Sequence, residues 1–127
     1  KTIDGTHELD AAIMDGLNLK AGAIAGVKDI KNPIKCARLV MDSTEHVFLI
    51  GEGASFFAQS QELEMVDNDY FNTERREKQL ERIKNKEEEA NPKGTVGCAV
   101  KDKQGNLAAA TSTGGMSGKF SPSSLDN

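Results

Sequence analysis

From residue 8 the chain falls into short extended runs. Leu9, Ala11 and Ile13 interleave with Asp10, Ala12 and Met14, and Asp15-Gly16 supplies turn chemistry before a run of small and apolar residues from Leu19 to Ala25. This alternation predicts two strands within residues 8 to 26. Ala and Gly dominate the second, which predicts a strand buried on both faces with another layer close against its backbone. Asn32 as N-cap, Pro33 at the first helical position, and Ile34, Ala37, Val40 and Met41 at helical spacing predict a helix. Val47 to Ile50 reads as a short strand, Gly51 to Gly53 as a break, and Ala54 to about Leu63 as a second short helix.

The texture then changes. Glu74 to Lys93 carries six acidic and seven basic residues in twenty positions, with only Leu80, Ile83 and Ala90 apolar. So little apolar surface cannot offset the ordering entropy of the segment by itself, which predicts a solvated helix or a mobile linker. Asn91-Pro92 stops any helix. Thr95 to Val100 and Leu107 to Ala110 are apolar runs about the turn Lys103-Gln104-Gly105-Asn106, a hairpin with a buried first strand. Phe120 to Asn127 is polar and turn-rich.

A length of 127 residues, 37% apolar and 28% charged, suits one ordinary α+β domain. No run approaches the roughly 20 apolar residues of a membrane span. A net charge of −4, no Trp and 5% aromatics argue against a nucleic-acid partner, which calls for a basic surface and stacking platforms. Cys36 and Cys98 make neither a disulfide framework nor a metal site and fit a reducing, cytoplasmic setting. The first residue is Lys, so targeting signals before it are open.

Chemistry concentrates at Gly94-Thr95, where a charged segment delivers a Gly to a Thr that opens a strand. A Thr hydroxyl in that position can attack the preceding carbonyl and shift the acyl group from nitrogen to oxygen. Water then cleaves the ester and leaves a free α-amine on the Thr. Gly before the Thr admits the close approach and backbone strain of the attack. The released α-amine, with a reference pKa of about 7.7–8.0, can take the hydroxyl proton of its own residue.

Motifs along the chain extend this reading. They are Thr6-His7-Glu8-Leu9-Asp10-Ala11, Met14-Asp15-Gly16, Lys20-Ala21-Gly22-Ala23, Asn32-Pro33 with Ala37-Arg38, Gly51-Glu52-Gly53-Ala54, Gly94-Thr95-Val96-Gly97, and Gly105-Asn106-Leu107-Ala108-Ala109-Ala110-Thr111-Ser112-Thr113-Gly114-Gly115. Together they resemble the plant-type L-asparaginase or isoaspartyl peptidase family of N-terminal-nucleophile hydrolases, over nearly all of residues 4 to 119. The resemblance implies a four-layer αββα sandwich and a precursor that cleaves itself between Gly94 and Thr95. Residues 1–94, with 74–93 as a charged mobile linker, then belong to the α subunit, and 95–127 to the β subunit. It implies Thr95 as nucleophile, Thr113 as the supporting threonine, and Gly114 and Gly115 as points of close backbone approach to nucleophile or substrate. Thr111 and Ser112 rival Thr113, and family position alone selects the third. The implied substrates are β-aspartyl dipeptides and L-asparagine, hydrolysed without metal or organic cofactor by a dimer of αβ units.

The chain departs from the pattern at Ser123, where an Arg that grips substrate is expected. The family's early His-Gly-Gly segment and later Gly-Thr-Gly segment have no counterpart here. An incomplete, inactive piece is therefore expected, one with sheet edges and apolar face exposed. A glycosylasparaginase-type amidohydrolase is the nearest rival activity. A non-catalytic polypeptide that binds partners through 74–93 is a rival of another class, although Leu80 and Ile83 are too few for a coiled-coil seam. Of the remaining residues, His7 and Asp10 read as structural hydrogen-bonding groups, His46 as surface, and Cys36 and Cys98 as inert buried thiols.

Overall fold

The computed structural model describes residues 1–86, 94–115 and 117–119. Ser123 and the stretch 87–93 of the charged segment lie outside the described residues. The architecture is α+β. Strands β1 (Leu9–Asp15) and β2 (Ala21–Val27) are antiparallel neighbours joined by a turn. In that turn Asp15 Oδ1 accepts from the Leu17 N–H and Asn18 Oδ1 from the Lys20 N–H, both at 2.9 Å.

Helix α1 (Pro33–Ser43) crosses back to β3 (Phe48–Ile50), which pairs in parallel with β2. Pro33 opens α1 as expected, but the Asn32 side chain makes no capping bond. Helix α2 (Gly51–Ser60) starts directly after β3, so Gly51 to Gly53 ends the strand as expected but forms the first residues of the helix, which was expected to begin at Ala54. The left-handed φ of +49° at Gly51 turns strand into helix, and Ala54 and Ala58, one turn apart, are fully buried. Strands β4 (Thr95–Lys101) and β5 (Leu107–Thr113) form the predicted hairpin, giving one five-stranded sheet in the order β3-β2-β1-β5-β4.

Side chains of α1 and α2 meet Ala11, Ile24 and Val27 in a single core, so both helices lie on the same face of the sheet. Gly22 lets α1 sit down on β2. A Cβ there would overlap the Ala37 carbonyl oxygen and come within 2.6 Å of the Met41 nitrogen. The close layer expected over β2 is therefore present, but on one face only. On the other face Ala21, Ala23 and Ala25 are half-buried, and their neighbours Phe48, Ile50 and Met14 are exposed.

The expected burial of the hairpin's first strand is corrected by the structure. All seven residues of β4 are exposed, Cys98 included. The reason is its place at the sheet edge, while α1 packs on β2 and β1 and reaches only as far as β5. Val96 and Val100 are left open, as the expectation of uncovered apolar surface requires.

Within the charged segment, helix α3 (Glu74–Lys84) is the helical one of the two expected alternatives. The Thr73 side chain caps it by accepting from the Arg76 N–H at 3.3 Å. Acidic Glu74 and Glu77 occupy its first turn and basic Arg82 and Lys84 its last, complementing the helix dipole. Leu80 is buried, and a Cβ on Gly118 would come within 3.0 Å of Ile83 Cγ2. The Ile83 side chain thus meets the segment that follows β5. Among the described residues no helix is long and apolar enough to cross a membrane.

Candidate active site

The hairpin register does what the sequence needed of it. Thr95 pairs directly with Thr113 across β4 and β5, and directly opposed residues share a sheet face. The Thr95 hydroxyl donates to Thr113 Oγ1 at 3.0 Å, eighteen positions away in the chain. Thr113 Oγ1 also accepts from the Gly115 N–H at 2.9 Å. Thr111 pairs instead with Gly97, and Ser112 points to the opposite face with Val96. Of the three candidate hydroxyls in this run, Thr113 is the one hydrogen-bonded to Thr95.

The remaining predicted residues take distinct places. The Gly115 N–H reaches back to the Thr113 hydroxyl, and Gly115 itself has a left-handed φ of +67°, a conformation that favours glycine. Gly114 lies over Leu9, whose Cδ2 a Cβ would meet at 3.5 Å. Gly94 leads into Thr95 against the side chain of Arg76. Thr95 is exposed on the sheet face opposite α1 and α2, which it shares with Asp10, Ala12 and Met14 through the β5–β1 register. Asp10 accepts there from the Gly26 N–H at 2.9 Å, the structural role expected of it.

A polar frame ties the entry to β1 to the chain before α3, and of its members His7 alone was expected as a structural hydrogen-bonding group. Asn68 accepts from the His7 N–H and donates to the His7 carbonyl, each at 2.9 Å, and donates to the Lys28 carbonyl at 2.8 Å. His7 Nε2 and Asn72 Oδ1 are 2.9 Å apart. These bonds fix the start of α3 against the entry to β1. Burial holds the His7 imidazolium pKa below its usual value, with the Asn72 contact opposing. Glu8 is buried between Lys28 and Lys119, each with Nζ 3.9 Å from its carboxylate, and Lys119 also donates to the Glu8 carbonyl at 3.1 Å. The segment after Thr113 is thereby tied to the start of the chain, as is Gly118, whose N–H donates to the Lys1 carbonyl at 2.8 Å.

These residues sit outside any apolar periodicity, so pattern reading passes over them. Thr73 before Glu74 was a legible helix start, yet nothing local marks where that helix docks. Cys36 is buried, and burial pushes its thiol up to about 11, which removes it as a nucleophile. Among the described residues no group of His, Cys, Asp and Glu is arranged to hold a metal.

The chain belongs to the asparaginase family, whose pattern it matches over residues 1–121. It is 50% identical to an isoaspartyl peptidase of Salmonella typhimurium, covering 94% of this chain and 42% of that protein. Identity is 47% to the isoaspartyl peptidase of Escherichia coli, over 94% of this chain and 40% of the relative. Against a human isoaspartyl peptidase/L-asparaginase it is 46%, over 92% and 40% respectively. The chain thus spans about two-fifths of the length of these relatives.

Proposed function

We propose that this chain is part of an N-terminal threonine amidohydrolase that releases its own nucleophile and then hydrolyses isoaspartyl peptides and L-asparagine. Residues 1–94 supply part of the α subunit and residues 95–127 the start of β. In self-cleavage, Thr95 Oγ1 bonds to the Gly94 carbonyl carbon, the Gly94–Thr95 C–N bond breaks, and the hydroxyl proton passes to the departing nitrogen. Water then splits the ester, giving a carboxylate on Gly94 and a free ammonium on Thr95.

In turnover the Thr95 α-amine, neutral in part near pH 7, accepts the proton of its own hydroxyl as Oγ1 attacks the substrate's β-carbonyl carbon. The C–N bond breaks and the proton leaves with ammonia or the peptide amine. Water hydrolyses the β-aspartyl ester that remains, releasing L-aspartate or its derivative. Thr113, which accepts from Thr95 in the uncleaved chain, can donate to Oγ1 once that oxygen has lost its proton. The observation that carries the reading is the 3.0 Å bond between the two threonine hydroxyls, with Gly94 immediately before the first. The relatives' names supply the substrate class. In the complete enzyme two αβ units pair, and the free thiols Cys36 and Cys98 suit a reducing, cytoplasmic setting.

The test is intact-mass analysis of the full protein that carries this sequence, followed by assay with a β-aspartyl dipeptide. Two polypeptides divided between Gly94 and Thr95 are expected, with Thr95→Ala leaving one polypeptide and no turnover. An undivided protein, or a Thr95→Ala variant that still hydrolyses the dipeptide, refutes the mechanism. Faster hydrolysis of a glycosyl-asparagine refutes the substrate assignment.

A further inference from the structure

We propose that Arg76 is a positioning residue for the Gly94–Thr95 junction: its guanidinium holds the Gly94 end of the bond in place and takes up the carboxylate that cleavage creates there. The proposal rests on the self-cleavage reading above and adds to it a residue from α3, the helix formed by the charged segment.

Arg76 lies in the first turn of α3, behind the Thr73 cap, and its side chain is half-buried. Nη1 donates to Gln79 Oε1 at 2.9 Å and to Ser117 Oγ at 3.4 Å. Ser117 is fully buried and donates to the same Gln79 oxygen at 3.0 Å, so the guanidinium belongs to a closed triangle linking α3 to the segment after Thr113. Its Nη2 end faces Gly94. A Cβ on Gly94 would overlap Nη2 and lie 3.5 Å from Cζ and 3.8 Å from Nη1. A side chain at position 94 would push the guanidinium away, which gives the Gly a second role beyond access to its carbonyl.

The chemistry suits a fixed cation at that point. As Thr95 Oγ1 bonds to the Gly94 carbon, negative charge gathers on the carbonyl oxygen. Once the C–N bond has broken and water has split the ester, with the proton of the new acid passing to the Thr95 amine, Gly94 ends in a full carboxylate. A planar guanidinium, always charged and able to donate in parallel, matches both species. Because the cation is already anchored, its attraction rises along the reaction coordinate without reorganisation. In the product it holds the new α-subunit terminus against α3.

The experiment measures the half-time of cleavage before Thr95 in the full protein by intact mass. Arg76→Ala is expected to slow cleavage by about tenfold to a hundredfold, the scale of one charge-assisted hydrogen bond. Arg76→Lys is expected to fall between Arg76→Ala and wild type, and added methylguanidinium to restore part of the Arg76→Ala rate. Lys78→Ala, which removes the same charge from the solvent side of α3, is expected to cleave at the wild-type rate. Melting temperatures are compared in a Thr95→Ala background, where every variant stays uncleaved. Arg76→Ala protein that cleaves as fast as wild type overturns the proposal. A slowed Arg76→Ala variant that neither lysine nor methylguanidinium rescues, and whose melting temperature collapses, overturns it equally, because docking of α3 then explains the loss. Wild-type protein that never divides before Thr95 overturns the self-cleavage reading itself, and this proposal with it.

Discussion

Replacing Thr113 by Val keeps the branched shape of the side chain and removes its hydroxyl, so the change isolates one oxygen. That oxygen accepts from Thr95 Oγ1 at 3.0 Å and from the Gly115 N–H at 2.9 Å. The Thr95 hydroxyl is exposed and can turn to water, whereas Gly115 is half-buried and its N–H loses a partner. On the scale of about 1–3 kcal/mol for a donor left unsatisfied, the expected loss of stability lies near the lower end, at about 1 kcal/mol. The kinetic loss is larger. In the proposed mechanism Thr113 both directs the attacking oxygen and answers the charge that grows on it, a charge-assisted bond of about 1.5–3 kcal/mol, which corresponds to roughly 10- to 150-fold in rate. Self-cleavage by intact mass and turnover of a β-aspartyl dipeptide by ammonia or amine release are measured separately, with a melting curve for each variant. Thr111→Val, on the same face but opposite Gly97, and Ser112→Ala, on the other face, are the controls. A Thr113→Val enzyme within about threefold of wild type in both reactions refutes the argument, since even one neutral hydrogen bond is worth that much. A Thr111→Val variant as impaired as Thr113→Val refutes it too.

Two further predictions concern the frame. Gly22→Ala drives a methyl into the α1 backbone at Ala37 and Met41, atoms that cannot swing aside, and is expected to cost about 1–3 kcal/mol, whereas Gly53→Ala, inside α2 with open space around it, gains about 0.5–1 kcal/mol. Denaturant midpoints that move in the same direction for both refute this. His7 has a folded-state pKa lowered from its reference value of 6.5, so below about pH 6.5 the unfolded chain takes up a proton that the folded one resists. Its contribution is therefore full above pH 6.5 and is lost as pH falls through that value towards the lowered folded pKa. The difference in melting temperature between wild type and His7→Gln is expected to shrink over that interval, and a constant difference between pH 7.5 and 5.5 refutes the assignment.

Much of the fold was legible because its signals are local. Alternation in Leu9 to Met14, Asn32-Pro33 before an apolar helical stripe, and the Lys103-Gln104-Gly105-Asn106 turn each act within a few residues. Each produces the element it predicts. The turn is stabilised from within by Asp102, which accepts from the Gln104 and Asn106 N–H groups at 2.9 and 2.8 Å and whose pKa is lowered mainly by the Asn106 side chain. Burial was less legible. A run such as Val96 to Val100 is apolar wherever it lies, and only the sheet order makes it an edge strand beyond the reach of α1. Helix α3 shows the converse. Its composition forbids self-sufficient burial, yet the tertiary structure buries Leu80 and sets Ile83 against Gly118.

The amino-acid sequence by itself determined the family and most of the secondary elements and pointed to Gly94-Thr95 as the candidate junction, because each is written in residue type and short spacing. It left Thr111, Ser112 and Thr113 equivalent as hydroxyls and gave Arg76 no role beyond that of a charge in a charged run. Tertiary structure separated them. Strand pairing is periodic, so one register puts a single hydroxyl of the three across from Thr95. Helix docking brings Arg76 to Gly94 across a chain separation that no local pattern encodes.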